Sequence, residues 1–463
     1  MLAIKEKIHN LGYKKIGIIG LGLTGNSVFN FFSRLGVQTI CYDKDNEKCD
    51  EFLKNHKDAV IENIGKNWND CSHIVISPGI PLYYPKESEF ITFAKENNIE
   101  IISDFEIFYS ILKNKAKFIA VTGTNGKSTT TSMIAHILSS SAINCSCGGN
   151  IGKPVLDLPL NSDVYVLELS SFQLELLNNF KPNISVLLNI TPDHLDRHGN
   201  MDNYIESKKL LLKNQSSEDY AIINIDNPLT SWIYEEQKQN SNIKLIGVSS
   251  ALNENRKDVV YCNENMIDDN YWREYVNFSN KAEFSSSHIA QNFASAYSAC
   301  KAIGISMDNI LKAYESFKGL DHRMQYIGCI NNIKFYNDSK ATNVDSVRTA
   351  LQSLDNILWI AGGVDKQNGI ELLLDSISTV KKCYLYGKSA HKFSKILAEY
   401  IEVEIFEDLA KAVEKAYSDC LKNGYINANI LLSPACASYD QYKNFEHRGN
   451  HFVKIYNKLA KIT

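Results

Sequence analysis

The stretch that most constrains the fold of this chain is residues 117–138, KFIAVTGTNGKSTTTSMIAHIL. Residues 118–121 form a short apolar run, the pattern of a strand buried on both faces in a parallel sheet. The polarity then breaks across Thr122, Gly123, Thr124, Asn125, Gly126, Lys127, Ser128 and Thr129, and Met133, Ile134, Ile137 and Leu138 recur at helical spacing. Strand, glycine loop and helix in this order predict a phosphate-cradling loop. Gly123 and Gly126 let backbone N–H groups turn inward, and the helix start adds its positive end. Lys127 can reach the outer phosphates of a nucleotide, and the Ser128 hydroxyl can ligate Mg²⁺. Val121 stands where the full G-x-x-x-x-G-K-[ST] pattern has its first glycine, so the context carries the assignment.

The segment before this loop is a second nucleotide-style unit. An apolar run at residues 16–19 leads into Gly20-Leu21-Gly22-Leu23-Thr24-Gly25, and helical spacing follows at Val28, Phe29, Phe32 and Leu35. A second strand over residues 37–42 ends at Asp43, and a third over residues 73–76 ends at Ser77-Pro78-Gly79. Taken alone, this is a dinucleotide fingerprint with its ribose-binding acid, and a nicotinamide dehydrogenase is one reading of it. The fingerprint itself requires only a diphosphate near a helix start.

After the phosphate loop, polar groups collect at strand ends, where doubly wound sheets bind ligands. Glycines cluster around Asn150, a strand at residues 164–167 delivers Glu168, and Ser170, Ser171 and Gln173 follow. A strand at residues 184–189 delivers Asp193 and His194. Beside a Gly-Lys-Ser loop, these groups point to Mg²⁺ and γ-phosphate chemistry. On a predicted helix at residues 204–213, Lys208 has Tyr204, Ile205, Leu211 and Leu212 three and four positions away, whereas Lys209 faces a wetter set. Burial favours the neutral amine that covalent modification requires, although a lysine on such a face also snorkels. Residues 253–280 read as polar and loop-rich, and residues 288–300 as a helix carrying Asn292.

From about residue 320 the chain repeats strand-then-loop units without a glycine fingerprint. Their loops carry Asn337 to Asn343 with Lys340, Gly362 to Lys366, and Ser433 to Ser438, groups suited to an anionic ligand on a third parallel sheet. Gly387-Lys388-Ser389 has no glycines before it and reads as a turn. The predicted fold is thus α/β with three domains: Rossmann-like at 1–114, P-loop mononucleotide-binding at 115–319, and Rossmann-like at 320–463. With 49 Lys and Arg against 53 Asp and Glu, the charge balance does not favour a nucleic-acid partner. The 11 scattered cysteines read as reduced thiols, and neither a leader nor an 18-residue apolar run is evident, so a cytoplasmic protein without a membrane partner is expected.

TGTNGKS (122–128), GNIG (149–152), ELSSFQL (168–174), DHLD (193–196), DHR (321–323) and NDSKATN (337–343) occur in this order in the Mur ligases. The chain resembles that family of ATP-dependent amide-forming enzymes of peptidoglycan synthesis over all three segments. GLGLTG (20–25) and SPACASYDQYKNFEHRG (433–449) resemble the branch that adds D-glutamate to UDP-N-acetylmuramoyl-L-alanine. The resemblance implies that Leu23, Thr24, Asp43, Ser77 and Gly79 bind UDP rather than NAD, and that Asn150 and Gln173 help hold the muramoyl part. ATP would lie on Gly123, Thr124, Asn125, Gly126, Lys127, Ser128 and Thr129, with Asn292, Arg323 and Asp338 adding contacts. Lys127, Glu168, His194, Lys208 and Lys340 would be catalytic. Ser128 and Glu168 would hold one Mg²⁺; His194 and Lys208, the latter as a CO₂-derived carbamate, would hold a second. Thr342, Lys366, Ser438 and the Phe445 backbone would hold D-glutamate. It further implies an acyl phosphate intermediate and a monomer.

The chain departs from the family pattern at Ile289, where an asparagine is usual, and is one residue shorter between His194 and Lys208, which keeps Lys209 as the alternative carbamate. A regulatory P-loop protein would leave the third segment idle. A folylpolyglutamate-type ligase would share the ATP apparatus without needing a UDP site.

Overall fold

The computed structural model describes residues 2–462 apart from 85, 252–255, 264–265, 278–286, 366–368 and 426. The chain divides into two compact units, 1–317 and 318–463. The first unit carries two sheets and the second carries one.

The first sheet contains β1 (Lys15–Ile19), β2 (Gln38–Tyr42), β3 (His73–Ile76) and β4 (Glu100–Ile102), all parallel in the order β2-β1-β3-β4. The second runs through β5 (Lys117–Thr122), β6 (Cys145–Gly149), β7 (Val164–Glu168), β8 (Ile184–Leu187), β9 (Tyr220–Asn224), β10 (Lys244–Ser249), β11 (Val259–Cys262), β12 (Met266–Asp269) and β13 (Glu274–Asn277). Its order is β13-β12-β11-β10-β9-β8-β5-β7-β6. Chain order reverses direction beside β1 in one sheet and beside β5 in the other, and such reversals open crevices at the strands' carboxyl ends. Those are the ends that carry the two glycine loops.

Residues 253–280, expected to be loop-rich, instead contribute β11, β12 and β13, with β12 and β13 antiparallel extensions of the sheet. β13 alternates between half-buried and exposed residues, so its sequence carries little apolar signal.

The two sheets of the first unit share one apolar core. Val28 and Phe32 from the helix Leu23–Leu35 meet Phe105 and Phe108 from the helix Asp104–Leu112, and Phe118 and Tyr165 from β5 and β7. The buried Glu106 reinforces this junction: its Oε1 accepts the backbone N–H groups of Asn178, Asn179 and Phe180, each at 2.8 Å.

The second unit holds β14 (Gln325–Ile330), β15 (Ile333–Asn337), β16 (Ile357–Gly362), β17 (Val380–Tyr386), β18 (Glu402–Phe406) and β19 (Asn429–Leu432), in the order β14-β15-β19-β16-β17-β18. It is parallel except at β14, which pairs antiparallel with β15 and corrects the expectation of a wholly parallel sheet. Gly387, Lys388 and Ser389 lead directly into a helix, Ala390–Leu397, and the Ser389 hydroxyl donates to the Gly363 carbonyl. All eleven cysteines are free thiols. Among the described residues no helix is long and apolar enough to cross a membrane.

Candidate active site

The phosphate-type loop joins β5 to the helix Lys127–Ser140. Gly126 has φ +85°, a left-handed backbone that favours glycine, and a Cβ there would displace the Asn292 side chain, whose Oδ1 would stand 2.4 Å away. Asn189, beyond the end of β8, clamps the loop in both directions. Its Oδ1 accepts Asn125 N–H at 2.8 Å, its Nδ2 donates to Asn125 O at 3.0 Å, and its carbonyl accepts Thr124 N–H at 2.8 Å. Sequence reasoning missed this residue because an asparagine at a strand end has no local signature. Ser128 is buried and Thr129 half-buried in the helix's first turn.

Two lysines converge on one carbonyl. Lys127 Nζ donates to Gly123 O at 2.9 Å and Thr124 O at 2.7 Å, and Lys208 Nζ donates to Gly123 O at 2.9 Å. Lys208, on the helix Met201–Lys209, is 1% exposed and lies 4.7 Å from the Tyr204 ring centroid. Burial, then the charge of Lys127, drives its ammonium well below the ordinary lysine value, and only Asp193 opposes them. Lys209 is turned elsewhere, paired with Glu206 at 3.0 Å and Glu236 at 2.9 Å. Burial pulls it down, but the two carboxylates outweigh that and hold it above the ordinary value.

Glu168 ends β7 at the position paired with Val121 of β5, so it stands beside the loop. Its Oε1 accepts Asn150 Nδ2 at 2.7 Å, while its buried Oε2 has no hydrogen-bond partner. An unpartnered buried carboxylate oxygen is costly, and a divalent cation would satisfy it. Among the described residues no three His, Cys, Asp or Glu side chains come together as a metal cage. Mg²⁺ needs none, because it is held by one or two carboxylates with waters and substrate phosphates. Glu168 and Ser128 therefore fit a Mg²⁺ that arrives with a nucleotide.

His194 adopts a left-handed backbone, φ 54°, at the start of the helix Leu195–His198. Its Nε2 lies 3.5 Å from Asp193 Oδ2, and its ring meets Phe172 edge-on at 4.8 Å. Gln173 is buried, and its carbonyl oxygen accepts the Ser170 N–H and hydroxyl at 2.9 and 3.0 Å in a capping box. The carboxyl ends of β6, β7, β5 and β8 thus gather Asn150, Glu168, the glycine loop and, past β8, His194.

In the first sheet, a Cβ on Gly25 would lie 1.9 Å from Gly20 O, which explains the glycine there. Asp43 Oδ2 accepts Leu21 N–H at 2.8 Å and its Oδ1 accepts Asp45 N–H at 3.0 Å, so Asp43 braces the loop. The Ser77 hydroxyl donates to Gly20 O at 2.9 Å. Leu23 and Gly79 are exposed and Thr24 half-buried beside them.

In the second unit, the loops after β15, β19 and β16 collect at adjacent strand ends and are joined by a Val364–Ala437 bridge. Asp338 accepts the Ser433 hydroxyl at 2.8 Å and Met324 N–H at 3.1 Å; burial pushes its carboxyl up to about 7 against these donors and Arg323. Lys340 Nζ lies 3.9 Å from the Phe445 ring centroid, and Phe445 O accepts the Ser339 hydroxyl at 2.9 Å. Thr342 is half-buried and Ser438 buried in these loops, whereas Lys366 lies outside the described residues. The fully buried Arg448, not singled out in the sequence, ties the loops together through Ser339 O at 2.8 Å and Cys436 O at 3.1 Å.

A glycine loop backed by a helix start, with a lysine, a hydroxyl and a buried carboxylate around it, defines a P-loop nucleotide-binding α/β protein. The chain matches the Mur ligase middle domain over residues 121–300, the Mur ligase glutamate ligase domain over 322–436, and the Mur ligase MurD-like N-terminal domain over 14–103. It is 42% identical to the UDP-N-acetylmuramoylalanine--D-glutamate ligase of Rickettsia bellii, covering 96% of this chain and 98% of that protein. To the ligase of the same name from Caulobacter vibrioides it is 38% identical, over 96% of each chain. The MurF ligase of Thermotoga maritima, solved in complex with ADP, shares the fold at a TM-score of 0.59 and 14% identity, over 91% of this chain and 95% of that one. The chain belongs to the Mur ligase family.

Proposed function

We infer that the chain is an ATP-dependent ligase that forms an amide bond between UDP-N-acetylmuramoyl-L-alanine and D-glutamate, releasing ADP and phosphate, in peptidoglycan precursor synthesis. The observation that carries the catalytic part is the buried Glu168 beside the phosphate loop, with one carboxylate oxygen unpartnered. The near full-length similarity to ligases of that name supports the choice of substrates.

A carboxylate cannot couple to an amine unaided, because its oxygen is a poor leaving group. The L-alanyl carboxylate therefore attacks the γ-phosphorus of ATP, ADP departs, and an acyl phosphate forms. The D-glutamate amine then adds to the acyl carbon, the tetrahedral adduct expels phosphate, and the amine loses its proton. In the first step two anions approach each other. Lys127, with the loop N–H groups, offsets the charge on the transferring phosphoryl group, and Lys340 of the second unit is assigned the same task. Ser128 and Glu168 would hold a Mg²⁺, which when bound polarises the phosphoryl oxygens. Asn150 orients Glu168 through Oε1, leaving Oε2 for the metal.

His194 and Lys208 are assigned a second metal position, with Lys208 as a carbamate. Its depressed ammonium supplies the free amine that CO₂ addition needs, with one proton released. The carbamate so formed is an anion that Lys127 attracts, where an ammonium would be repelled. Lys208 rather than Lys209 takes this role, since Lys209 is committed to Glu206 and Glu236. Leu23, Thr24, Asp43, Ser77 and Gly79 are assigned to UDP, and Asn150 and Gln173 to the muramoyl part. Asn292, Arg323 and Asp338 are assigned to ATP, and Thr342, Lys366, Ser438 and Phe445 to D-glutamate. The domains are proposed at 1–114, 115–319 and 320–463, and the enzyme as a cytoplasmic monomer.

The test is ADP release by the purified chain given ATP, Mg²⁺ and UDP-N-acetylmuramoyl-L-alanine, with D-glutamate, L-glutamate or neither. Turnover with D-glutamate and a product carrying one added glutamate are expected. Equal turnover without the UDP-sugar, or amide formation with L-glutamate alone, contradicts the assignment.

A further inference from the structure

His198 takes no part in the chemistry above, yet it is buried between the segment that carries Ser171 and Gln173 and the helix that carries Tyr204 and Lys208. Its side chain has no solvent exposure. Nδ1 lies 3.0 Å from Glu175 Oε1, and Nε2 lies 2.9 Å from Ser171 Oγ. No aligned hydrogen bond is made at Nδ1, so the carboxylate acts on the ring through proximity and charge, and the direction of the Nε2–Ser171 bond follows the tautomer the ring adopts. Arg197 Nη2 donates to the other oxygen of Glu175 at 3.0 Å. One carboxylate therefore clamps the short helix Leu195–His198 against the segment that contains Ser171 and Gln173.

The same imidazole packs against Tyr204, with ring centroids 5.2 Å apart, and against Phe172 at 5.6 Å. The Tyr204 hydroxyl is 3.0 Å from Thr124 Oγ1 in the phosphate loop, and the Tyr204 ring carries Lys208. An unbroken chain of packed or hydrogen-bonded groups thus runs Ser171–His198–Tyr204–Thr124. His198 Nδ1 and Arg197 Nη1 make no hydrogen bond of their own, so ring packing and the Glu175 charge carry the links that aligned hydrogen bonds do not.

We propose that His198 is a positioning residue that couples the nucleotide loop to the segment 170–175, which carries the Gln173 assigned to the muramoyl part, so that occupancy of the loop sets the geometry of that segment. This rests on the assignment of nucleotide to the loop at residues 123–128. The coupling predicts that Ser171, which touches no part of that loop in the hydrogen bonds above, nevertheless affects nucleotide affinity. Coupling must be shown by non-additivity rather than by proximity.

The experiment measures Mg²⁺-dependent binding of a non-hydrolysable ATP analogue to the full chain by calorimetry. The variants are Ser171→Ala, Tyr204→Phe, His198→Asn and the pair Ser171→Ala/Tyr204→Phe. Each single change is expected to weaken binding about fivefold, and the pair to be no weaker than its worse member. The KM for the UDP-sugar should rise in Tyr204→Phe, a readout that lowered thermal stability alone would not move. Should His198→Asn fail to fold, the Ser171 and Tyr204 cycle spans the network without touching the histidine. Multiplicative losses in the pair, or Ser171→Ala binding at wild-type affinity, overturn the coupling. Failure of the unaltered chain to bind nucleotide overturns the assigned function and the coupling with it, whereas normal wild-type binding with an additive cycle sinks the coupling alone.

Discussion

Replacing Asp338 by asparagine should make the second unit more stable at alkaline pH while lowering activity. The carboxyl is buried, and burial raises it from 3.8 to about 7. Between those values the folded chain holds a proton that the unfolded chain has released, so stability falls as pH rises through this window. The penalty is absent below 3.8 and complete above about 7. At about 1.4 kcal/mol per pH unit, the interval sets a ceiling of about 4 kcal/mol. The asparagine Oδ1 can still accept Met324 N–H, and its Nδ2 can donate to the Ser433 hydroxyl, which reverses its role. One amide hydrogen is left without a partner at a cost of about 1–2 kcal/mol, so the expected net gain at pH 8.5 is about 2 kcal/mol. Urea unfolding with hydrogen exchange read at β15 and β19, at pH 5 and pH 8.5, checks this. Equal differences between the two proteins at both pH values would refute the argument. Turnover should fall because the charge is assigned to ATP, a case of a group retained for function at a cost in stability.

Four further changes test the first unit. Glu168→Gln keeps an acceptor for Asn150 but removes the charge assigned to Mg²⁺; kcat should drop by about 10²-fold or more, with folding intact by urea titration. Lys208→Ala should abolish turnover and short carboxylates should restore part of it, whereas Lys209→Ala, which loses two ion pairs and a contact with the Trp232 ring away from the loop, should remain active. Full activity of Lys208→Ala would remove the carbamate from the mechanism. Glu106→Ala strands the buried Phe180 N–H, loses two partly buried bonds from Asn178 and Asn179, and should cost about 2–4 kcal/mol in urea unfolding while leaving KM values for folded enzyme unchanged.

The sequence reveals elements whose signal is local. The apolar run before the loop, the glycines and the helical spacing after it all lie within 22 consecutive residues, 117–138. Lys208 could be distinguished from Lys209 by its neighbours three and four positions away, and the structure separates the two in the same sense, one fully buried at Gly123 and the other half-buried and paired with Glu206 and Glu236. What the sequence hid is non-local or polar. Strands β12 and β13 extend the sheet with alternating or half-exposed side chains, so no continuous apolar run marks them, while the buried β11 is only four residues long amid polar sequence. The antiparallel β14 is exposed along much of one edge, and pairing direction leaves no mark on composition. Asn189, Glu106, Arg448 and the Glu175–His198 pair are polar residues whose partners lie far away in sequence, so nothing beside them announces a role.

The acyl phosphate leaves an isotopic record. If the L-alanyl carboxylate of the UDP-sugar is labelled with heavy oxygen and the reaction is run with D-glutamate, attack on the γ-phosphorus carries one labelled oxygen into the phosphate that later departs. Mass analysis of the released phosphate should therefore show one heavy oxygen per turnover, with the amide retaining the other. Unlabelled phosphate formed alongside the amide would contradict activation of the carboxylate by phosphoryl transfer.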